Sequence, residues 1–287
     1  MDPAVNPLPP LNTAQLLRQY DLTPKKGLGQ NFLVDETALE RIAAAAEITP
    51  DSAVLEIGPG LGSLTRHLAS QARRLVAVEL DQRFLPVLEE VLAPWDNVTI
   101  VHGDILAQRP DTLMGEAGYL VVANIPYYIT SAVIRHLLES EYKPRRIVLT
   151  IQEEVARRVC AEPGDLSLLA LSVQVYGQPK LAARIPAGAF YPPPKVNSAA
   201  LRIDLYDEPR IPAPLLDSFF RLAKAGFSQK RKTLRNSLSA GMRWSTDHAA
   251  TLLTQAGIDP QRRAQTLTLD EWGLLCEVAD NVGTGLP

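Results

Sequence analysis

The sequence predicts an α/β fold in which a parallel sheet, covered by helices on both faces, is followed by a small all-helical domain. Between residues 36 and 160, short apolar segments alternate with longer segments of helical periodicity, which favours βαβ units. Three prolines within residues 208–214 mark a linker, and the periodicity beyond it is helical only. A chain of 287 residues is long enough for one large and one small domain.

Each element follows from its apolar pattern and its end signals. Asp35 precedes a segment rich in Ala, Ile and Leu, so it predicts the N-cap of a helix over residues 36–47. We predict strands over residues 53–57, 75–80, 98–102, 119–123, 146–151, 180–185 and 198–205, and an irregular stretch over residues 103–118. Further helices are predicted over residues 63–70, 82–93, 130–140, a segment ending at 160, 166–176, 215–225, 230–238, 246–256 and 269–279.

The predicted domains are an N-terminal extension (residues 1–20), an α/β domain (21–208) and a helical domain (209–287). Residues 1–10 are proline-rich and lack the basic and apolar regions of a signal peptide, so a mobile extension is expected. No apolar run reaches the roughly 18 residues that cross a bilayer, and no membrane partner is expected. Cys160 and Cys276 stand far apart without metal-ligand spacing. Free thiols, no metal and a cytoplasmic protein are therefore expected. Nothing in the sequence indicates an oligomer, so a monomer is expected by default.

A glycine-rich segment, Leu55-Glu-Ile-Gly-Pro-Gly-Leu-Gly62, follows the first strand of the predicted sheet. Gly58, Gly60 and Gly62 would let the backbone approach a ligand closely at the carboxyl end of that strand. The dinucleotide pattern G-x-G-x-x-G is not met, because Ser63 stands where its last glycine belongs. The spacing E-x-G-x-G-x-G instead resembles the S-adenosylmethionine loop of class I methyltransferases, which have a Rossmann-like fold.

Acidic residues end the next two predicted strands. Glu79 can accept both ribose hydroxyls of an adenosine. Asp104 suits a hydrogen bond to the adenine amine, while Ile105 packs on the ring. Each is alone an ordinary strand-end residue, but their order after the glycine-rich segment predicts an adenosine-containing cofactor. Whether Glu56 contacts that cofactor, or its positive sulfonium indirectly, stays open.

The turn Asn124-Ile-Pro-Tyr127 joins a predicted strand to a predicted helix and looks like the amine-binding motif of nucleic-acid adenine N6-methyltransferases. An exocyclic amine on a flat ring needs acceptors for its N–H groups and an aromatic face. Asn124 supplies a side-chain carbonyl, Pro126 fixes the turn, and Tyr127 offers a stacking plane. The structural alternative is a strand-to-helix turn with a packed tyrosine.

Five motifs together closely resemble the ribosomal RNA adenine dimethyltransferase family. They are residues 25–35 (KKGLGQNFLVD), the glycine-rich segment, the Asn124–Tyr127 turn, residues 190–198 (FYPPPKVNS) and residues 227–238 (FSQKRKTLRNSL), in the expected order over roughly residues 20–275. The match is best to the bacterial branch that dimethylates two adjacent adenines near the 3′ end of 16S rRNA. The resemblance implies N6,N6-dimethylation with S-adenosylmethionine, which becomes S-adenosylhomocysteine, and a role in small-subunit biogenesis.

The resemblance also implies roles for matching residues. Asn124 and the Ile125 carbonyl would hold the target amine in a turn fixed by Pro126, Tyr127 would stack on one face of the adenine, and Phe190 would cover the other. The alternative for Phe190 is a hydrophobic cap on the domain. The implied cofactor site comprises Asn31, Leu33, Gly58, Gly60, Glu79, Leu80, Asp104, Ile105 and Asn124.

The chain departs from the family pattern at two positions. Ile125 stands where many relatives have Leu. This difference should not affect activity, because the backbone carbonyl of residue 125, and not its side chain, would hold the target amine. Tyr128 stands where some relatives have Asn.

The charge distribution bears on RNA binding. The net charge of −3 argues weakly against a nucleic-acid partner, but residues 224–243 contain six basic residues and no acidic one. The resemblance implies phosphate contacts, and the predicted RNA-binding residues are Lys25, Lys26, Lys195, Lys230, Arg231, Lys232 and Arg235. A solvated helix face is the alternative for the basic segment.

Three other functions compete with this prediction. One is dimethylation of 23S rRNA by the related resistance enzymes, although residues 25–35 and 227–238 look more like the 16S branch. Another is an assembly factor that acts mainly by binding. The third is a small-molecule methyltransferase, which gives no reason for the basic segment.

Overall fold

A computed structural model describes residues 8–281 of the chain, without the side chain of Lys26. Of these, residues 8–156 and 180–205 form a first compact unit, and residues 157–179 and 206–281 a second. The predicted division at residue 208 follows the sequence and stays a prediction; in space, residues 157–179 belong with the C-terminal unit. Within residues 8–281, no helix is long and apolar enough to span a bilayer.

The first unit is built on a seven-stranded sheet with a separate two-stranded ribbon. The strands are β1 (Phe32–Leu33), β2 (Ala53–Ile57), β3 (Arg74–Glu79), β4 (Val98–His102), β5 (Leu120–Asn124), β6 (Arg146–Gln152), β7 (Gly177–Ile185), β8 (Phe190–Tyr191) and β9 (Ser198–Leu205). The sheet has the order β4-β3-β2-β5-β6-β9-β7, while β1 pairs with β8. Strands β2 to β6 are parallel, and β9 runs antiparallel to β6. Because β3 and β5 flank β2, the chain reverses its direction of winding there, which opens a crevice at the carboxyl ends of the strands.

The helices that accompany this sheet are α1 (Thr13–Gln19), α2 (Glu36–Ala46), α3 (Ser63–Ala69), α4 (Leu85–Leu92), α5 (Pro110–Met114), α6 (Thr130–Leu138) and α7 (Glu153–Val159). Asp35 caps α2 as expected, since its side chain accepts the Ala38 N–H at 2.8 Å. The buried side chains of Leu39 and Ile42 then pack with Val54 of β2 in one apolar cluster. The α/β prediction is thus confirmed, with an antiparallel strand within an otherwise parallel-rich sheet.

The second unit is helical and has its own core. Its helices are α8 (Leu168–Gln174), α9 (Leu216–Phe227), α10 (Leu234–Met242), α11 (Thr246–Gln255) and α12 (Leu269–Asn281). Phe219 and Trp272 are fully buried at its centre. The prediction that a helix covers residues 230–238 is wrong at its start. The apolar period begins only at Leu234, so the exposed cations before it lie in a turn.

Two short helices were not predicted. The irregular stretch contains α5, which Pro110 opens and Gly115 closes in the left-handed conformation; five residues are too few for a periodicity to show. Helix α1 lies in the predicted extension, where Leu16 and Leu17 are buried against Phe84 and Leu88. The predicted extension of residues 1–20 thus contains a packed helix. The mobility expected for residues 1–10 stays a prediction, and residues 1–7 lie outside the described part.

Candidate active site

One pocket of the first unit lies where the parallel strands end. Residues 28–33, 56–61, 78–81, 103–105 and 124–129 line it, together with Ser63, Leu64, Phe84 and Phe190. All residues that the sequence assigned to the cofactor or to catalysis are among these. The structure therefore brings them together, while their individual roles stay predictions.

The glycine-rich loop wraps this pocket in left-handed backbone. Gly58, Gly60 and Gly62 have φ values of +70°, +58° and +86°, which residues other than glycine rarely adopt. Gly60 also lacks room for a side chain, since a Cβ would come within 3.1 Å of the Phe32 ring. The backbone N–H of Gly60 donates a 3.0 Å hydrogen bond to Glu79 Oε2. This bond joins the loop to the end of β3.

Glu79 is held as a buried acceptor. Its Oε1 receives the Asp81 N–H at 2.8 Å, and burial raises the pKa of its carboxyl. Each carboxylate oxygen keeps a further lone pair for a ligand hydroxyl. Asp81 differs, because hydrogen bonds from Arg83 hold the pKa of Asp81 well below its usual range.

Glu56 is the most strongly perturbed acid of the pocket. It is 1% exposed, and its Oε2 has no hydrogen-bond partner within the described residues. Burial raises the pKa of Glu56 to about 8. An orphaned buried oxygen in a pocket wall fits a ligand that brings a donor, such as the ammonium group of an amino acid.

The residues around the end of β4 have mixed exposure. Asp104 is exposed and uses Oδ1 to accept the Leu106 N–H at 2.9 Å, which leaves Oδ2 for a ligand. Ile105 is 4% exposed, whereas Leu80 is 50% exposed at the pocket. An apolar surface beside a free carboxylate oxygen suits a flat heterocycle that carries an amine.

Residues 28–33 form one wall of the pocket. Leu33 pairs with Phe190 across the β1–β8 ribbon, and Asn31 donates its side-chain amide to the Gly29 carbonyl at 3.1 Å. Gln30 ties the segment to Asp81 through a 3.0 Å hydrogen bond. Sequence reasoning missed both this contact of Gln30 and the pairing of β1 with β8.

The turn after β5 presents its polar atoms in a defined way. Asn124 donates Nδ2 to the Asn31 carbonyl at 3.1 Å, so its Oδ1 remains an acceptor. The Ile125 carbonyl accepts no hydrogen bond within residues 8–281, although the Ile125 side chain is buried. Tyr127 is half-buried, its hydroxyl lies 2.8 Å from Ser198 Oγ, and burial raises the pKa of Tyr127. Ser198 is a residue that sequence reasoning missed, although it ends a quoted motif.

Phe190 lies both in an apolar cluster and in the wall of the pocket. It is 4% exposed and belongs to the apolar cluster around α2, yet it also lines the pocket. The hydrophobic cap and the adenine cover are therefore compatible, and its contact with a base stays a prediction.

The predicted RNA-binding cations divide between the two units. Lys25 and Lys195 of the first unit are exposed, and Lys25 Nζ lies 3.9 Å from Asp81 Oδ2. Lys26 lies outside the described side chains. In the second unit Lys230, Arg231 and Lys232 are exposed, whereas Arg235 is half-buried. A cleft of this unit is lined by Lys230 and Lys232 together with Arg158, Asp165 and Lys224.

Comparisons with known proteins show the family of this chain. Residues 22–280 match the model of a family described as ribosomal RNA adenine dimethylase. A protein of Dehalococcoides mccartyi (strain CBDB1), named ribosomal RNA small subunit methyltransferase A, is 45% identical over 93% of this chain and 92% of its own. The protein of the same name from Lysinibacillus sphaericus (strain C3-41) is 40% identical over 93% of this chain and 95% of its own.

Solved structures show the same fold. The 23S rRNA methyltransferase ErmE superposes with a TM-score of 0.72 and 30% identity, covering 87% of this chain and all of that one. A dimethyladenosine transferase from Plasmodium falciparum gives a TM-score of 0.76 at 23% identity, covering 88% of this chain and 98% of its own, and supports the fold alone.

Proposed function

Because the chain belongs to the ribosomal RNA adenine dimethylase family, we propose that it methylates N6 of two adjacent adenines near the 3′ end of 16S rRNA. It is an S-adenosylmethionine-dependent rRNA adenine dimethyltransferase. The observation that carries the finer proposal is the meeting of the glycine-rich loop and the Asn124–Tyr127 turn in one pocket. The names of the two relatives described above favour the small subunit as substrate.

The residues that line the pocket suit the chemical groups of S-adenosylmethionine. Glu79 is oriented by the Gly60 and Asp81 N–H groups to accept ribose hydroxyls, and Asp104 with Ile105 suits the adenine. The orphaned Glu56 oxygen suits the cofactor's ammonium group. When bound, this cofactor supplies a methyl group on a positively charged sulfur; no metal is part of the proposal.

The target amine would be held by two acceptors. The N6 lone pair of adenine is delocalised into the ring and is a poor nucleophile. Hydrogen bonds from its N–H groups to Asn124 Oδ1 and to the Ile125 carbonyl would favour a pyramidal nitrogen with a localised lone pair. Positioning of this kind can lower a barrier by about 7 kcal/mol in favourable models. Asn124 is neutral, so the methylated amine would lose its surplus proton to water.

The base itself would be held by aromatic faces. An adenine must leave its stack to reach this pocket, and the ring of Tyr127, fixed through Ser198, would receive one face. Phe190 would cover the other. A secondary amine must also fit for the second methylation.

RNA would be bound by cations of both units. The exposed residues Lys230, Arg231 and Lys232 would contact phosphates, with Lys25, Lys195 and Arg235 as further contacts. In this proposal the protein acts as a cytoplasmic monomer during small-subunit biogenesis.

The test is methyl transfer from labelled S-adenosylmethionine to small subunits that lack these methyl groups, with naked 16S rRNA and large subunits in parallel. We expect two methyl groups on each of two adjacent adenines in the small subunit. Labelling of 23S rRNA in large subunits instead would support the alternative dimethyltransferase. Cofactor binding without transfer to any RNA would contradict the proposal and favour a binding role in assembly.

A further inference from the structure

Two successive tyrosines in the pocket wall have opposite environments. Tyr127 is half-buried and its hydroxyl is held by Ser198. Tyr128 is 64% exposed, and its hydroxyl has no hydrogen-bond partner within the described part of the chain. A single exposed aromatic side chain is unremarkable on most of a protein surface. Tyr128, however, lines the pocket that receives the proposed substrate.

One edge of the Tyr128 ring lies near residue 29. A Cβ built at Gly29 would lie at an ordinary contact distance of 3.6 Å from Tyr128 Cε1, but only 2.9 Å from Pro126 Cβ. Gly29 also has a φ of +63°, so its conformation and its approach to Pro126 both favour glycine. The Tyr128 ring thus lies beside Gly29 in the pocket wall, and most of the residue is in solvent.

We propose that Tyr128 stacks on the base next to the target adenine in the RNA strand. This inference rests on the proposed function, in which the target enters at Asn124–Tyr127. Removing a base from its stack uncovers a face of its neighbour, and an exposed aromatic plane one residue from Tyr127 can cover that face. Stacking tolerates any base, so Tyr128 adds affinity for the opened strand and not base specificity.

Steady-state transfer to unmethylated small subunits tests this inference. We expect Tyr128→Ala to raise KM for the subunit by about fivefold or more, since an aromatic ring under a base contributes at least about that factor to affinity, with a smaller change in kcat. Tyr128→Phe should keep the wild-type KM because the ring remains. Affinity for S-adenosylmethionine, measured by titration, should be unchanged in both.

The matched control is Tyr142→Ala. Tyr142 is 43% exposed and lies in the loop between α6 and β6, at the amino end of β6 and thus away from the pocket. The KM of the Tyr142→Ala variant for small subunits should equal that of the wild type.

Three results would overturn the inference while wild-type transfer persists. They are an unchanged KM in Tyr128→Ala, an equal rise in the Tyr142→Ala or Tyr128→Phe variant, and a loss of S-adenosylmethionine affinity that accounts for the lower activity. Absence of transfer by the wild type to any RNA would instead contradict the proposed function, and this inference with it.

Discussion

The side-chain amide nitrogen of Asn124 donates to the main-chain carbonyl of Asn31 over 3.1 Å. This bond joins the end of β5 to a segment 93 residues earlier in the chain. It occupies the nitrogen of Asn124 and so defines which amide atom is left to accept. The pocket wall formed by residues 28–33 therefore helps to orient the proposed amine-binding group.

Replacing Asn124 should separate catalysis from cofactor binding. We expect Asn124→Ala to lower kcat at least about a hundredfold, as removal of one positioned hydrogen-bonding group does elsewhere, with cofactor affinity largely kept. Asn124→Asp preserves the shape but cannot donate to the Asn31 carbonyl, so it should also be impaired. Single-turnover transfer and cofactor titration measure the two effects. Wild-type turnover by Asn124→Ala would refute the role assigned to Asn124.

Gly60 should be intolerant of a side chain for two distinct reasons. Gly60→Ala places a Cβ 3.1 Å from the Phe32 ring at a φ of +58°. Gly115→Ala is the matched control, because Gly115 has a φ of +68° with no atom within 4 Å of a Cβ. Both changes should cost about 1–2 kcal/mol of backbone strain, measured by denaturant unfolding. Only Gly60→Ala should also weaken cofactor binding, and equal cofactor affinity in the two variants would contradict this.

Two kinds of feature could be predicted from the sequence: apolar segments of strand length, and turns that contain glycine or proline. Apolar segments of strand length predicted β2 and β4 at their observed bounds. Strand β2 is buried along its whole length, as expected for a central parallel strand, whereas β4 lies at the edge of the sheet and is partly exposed. The glycines at 58, 60 and 62 and the proline at 126 marked the turns that surround the pocket. Short contacts between distant segments left no such mark. The Asn31–Asn124 bond, the Tyr127–Ser198 pair and the α1 packing depend on tertiary proximity, which no local period encodes.

The buried acid Glu56 should make stability depend on pH. Its pKa rises from 4.5 to about 8 on folding, so the neutral form is favoured in the folded protein. Its contribution to stability is complete below pH 4.5 and is lost as the pH rises to about 8. Glu56→Gln stays neutral, so its free energy of unfolding relative to wild type should increase by about 4 kcal/mol between pH 5 and 8.5. Glu79 is present in both proteins, and parallel pH profiles would contradict the prediction.

The N-terminal helix should support the pocket as well as the fold. Leu17 of α1 is buried in a cluster with Phe32, Leu61 and Phe84, and these three residues also line the pocket. Leu17→Ala should lower the free energy of unfolding by about 2–4 kcal/mol and weaken cofactor binding. Gln15→Ala, an exposed change on the same helix, should shift stability by less than about 0.5 kcal/mol. Unchanged cofactor affinity in Leu17→Ala would limit α1 to a structural role.

The exposed turn before α10 should carry the salt dependence of RNA binding. Each phosphate contact contributes roughly 0.7–0.9 to the slope of log affinity against log salt concentration. Lys232→Gln should therefore reduce that slope by about 0.7–0.9, and combined neutralisation of Lys230, Arg231 and Lys232 should reduce it further and weaken binding of small subunits. Arg243→Gln removes the same charge from an exposed residue at the other end of α10 and should leave the slope unchanged. Equal slopes for Lys232→Gln and Arg243→Gln would contradict this prediction. The salt dependence would then follow from the net charge of the protein and not from a phosphate contact at this turn.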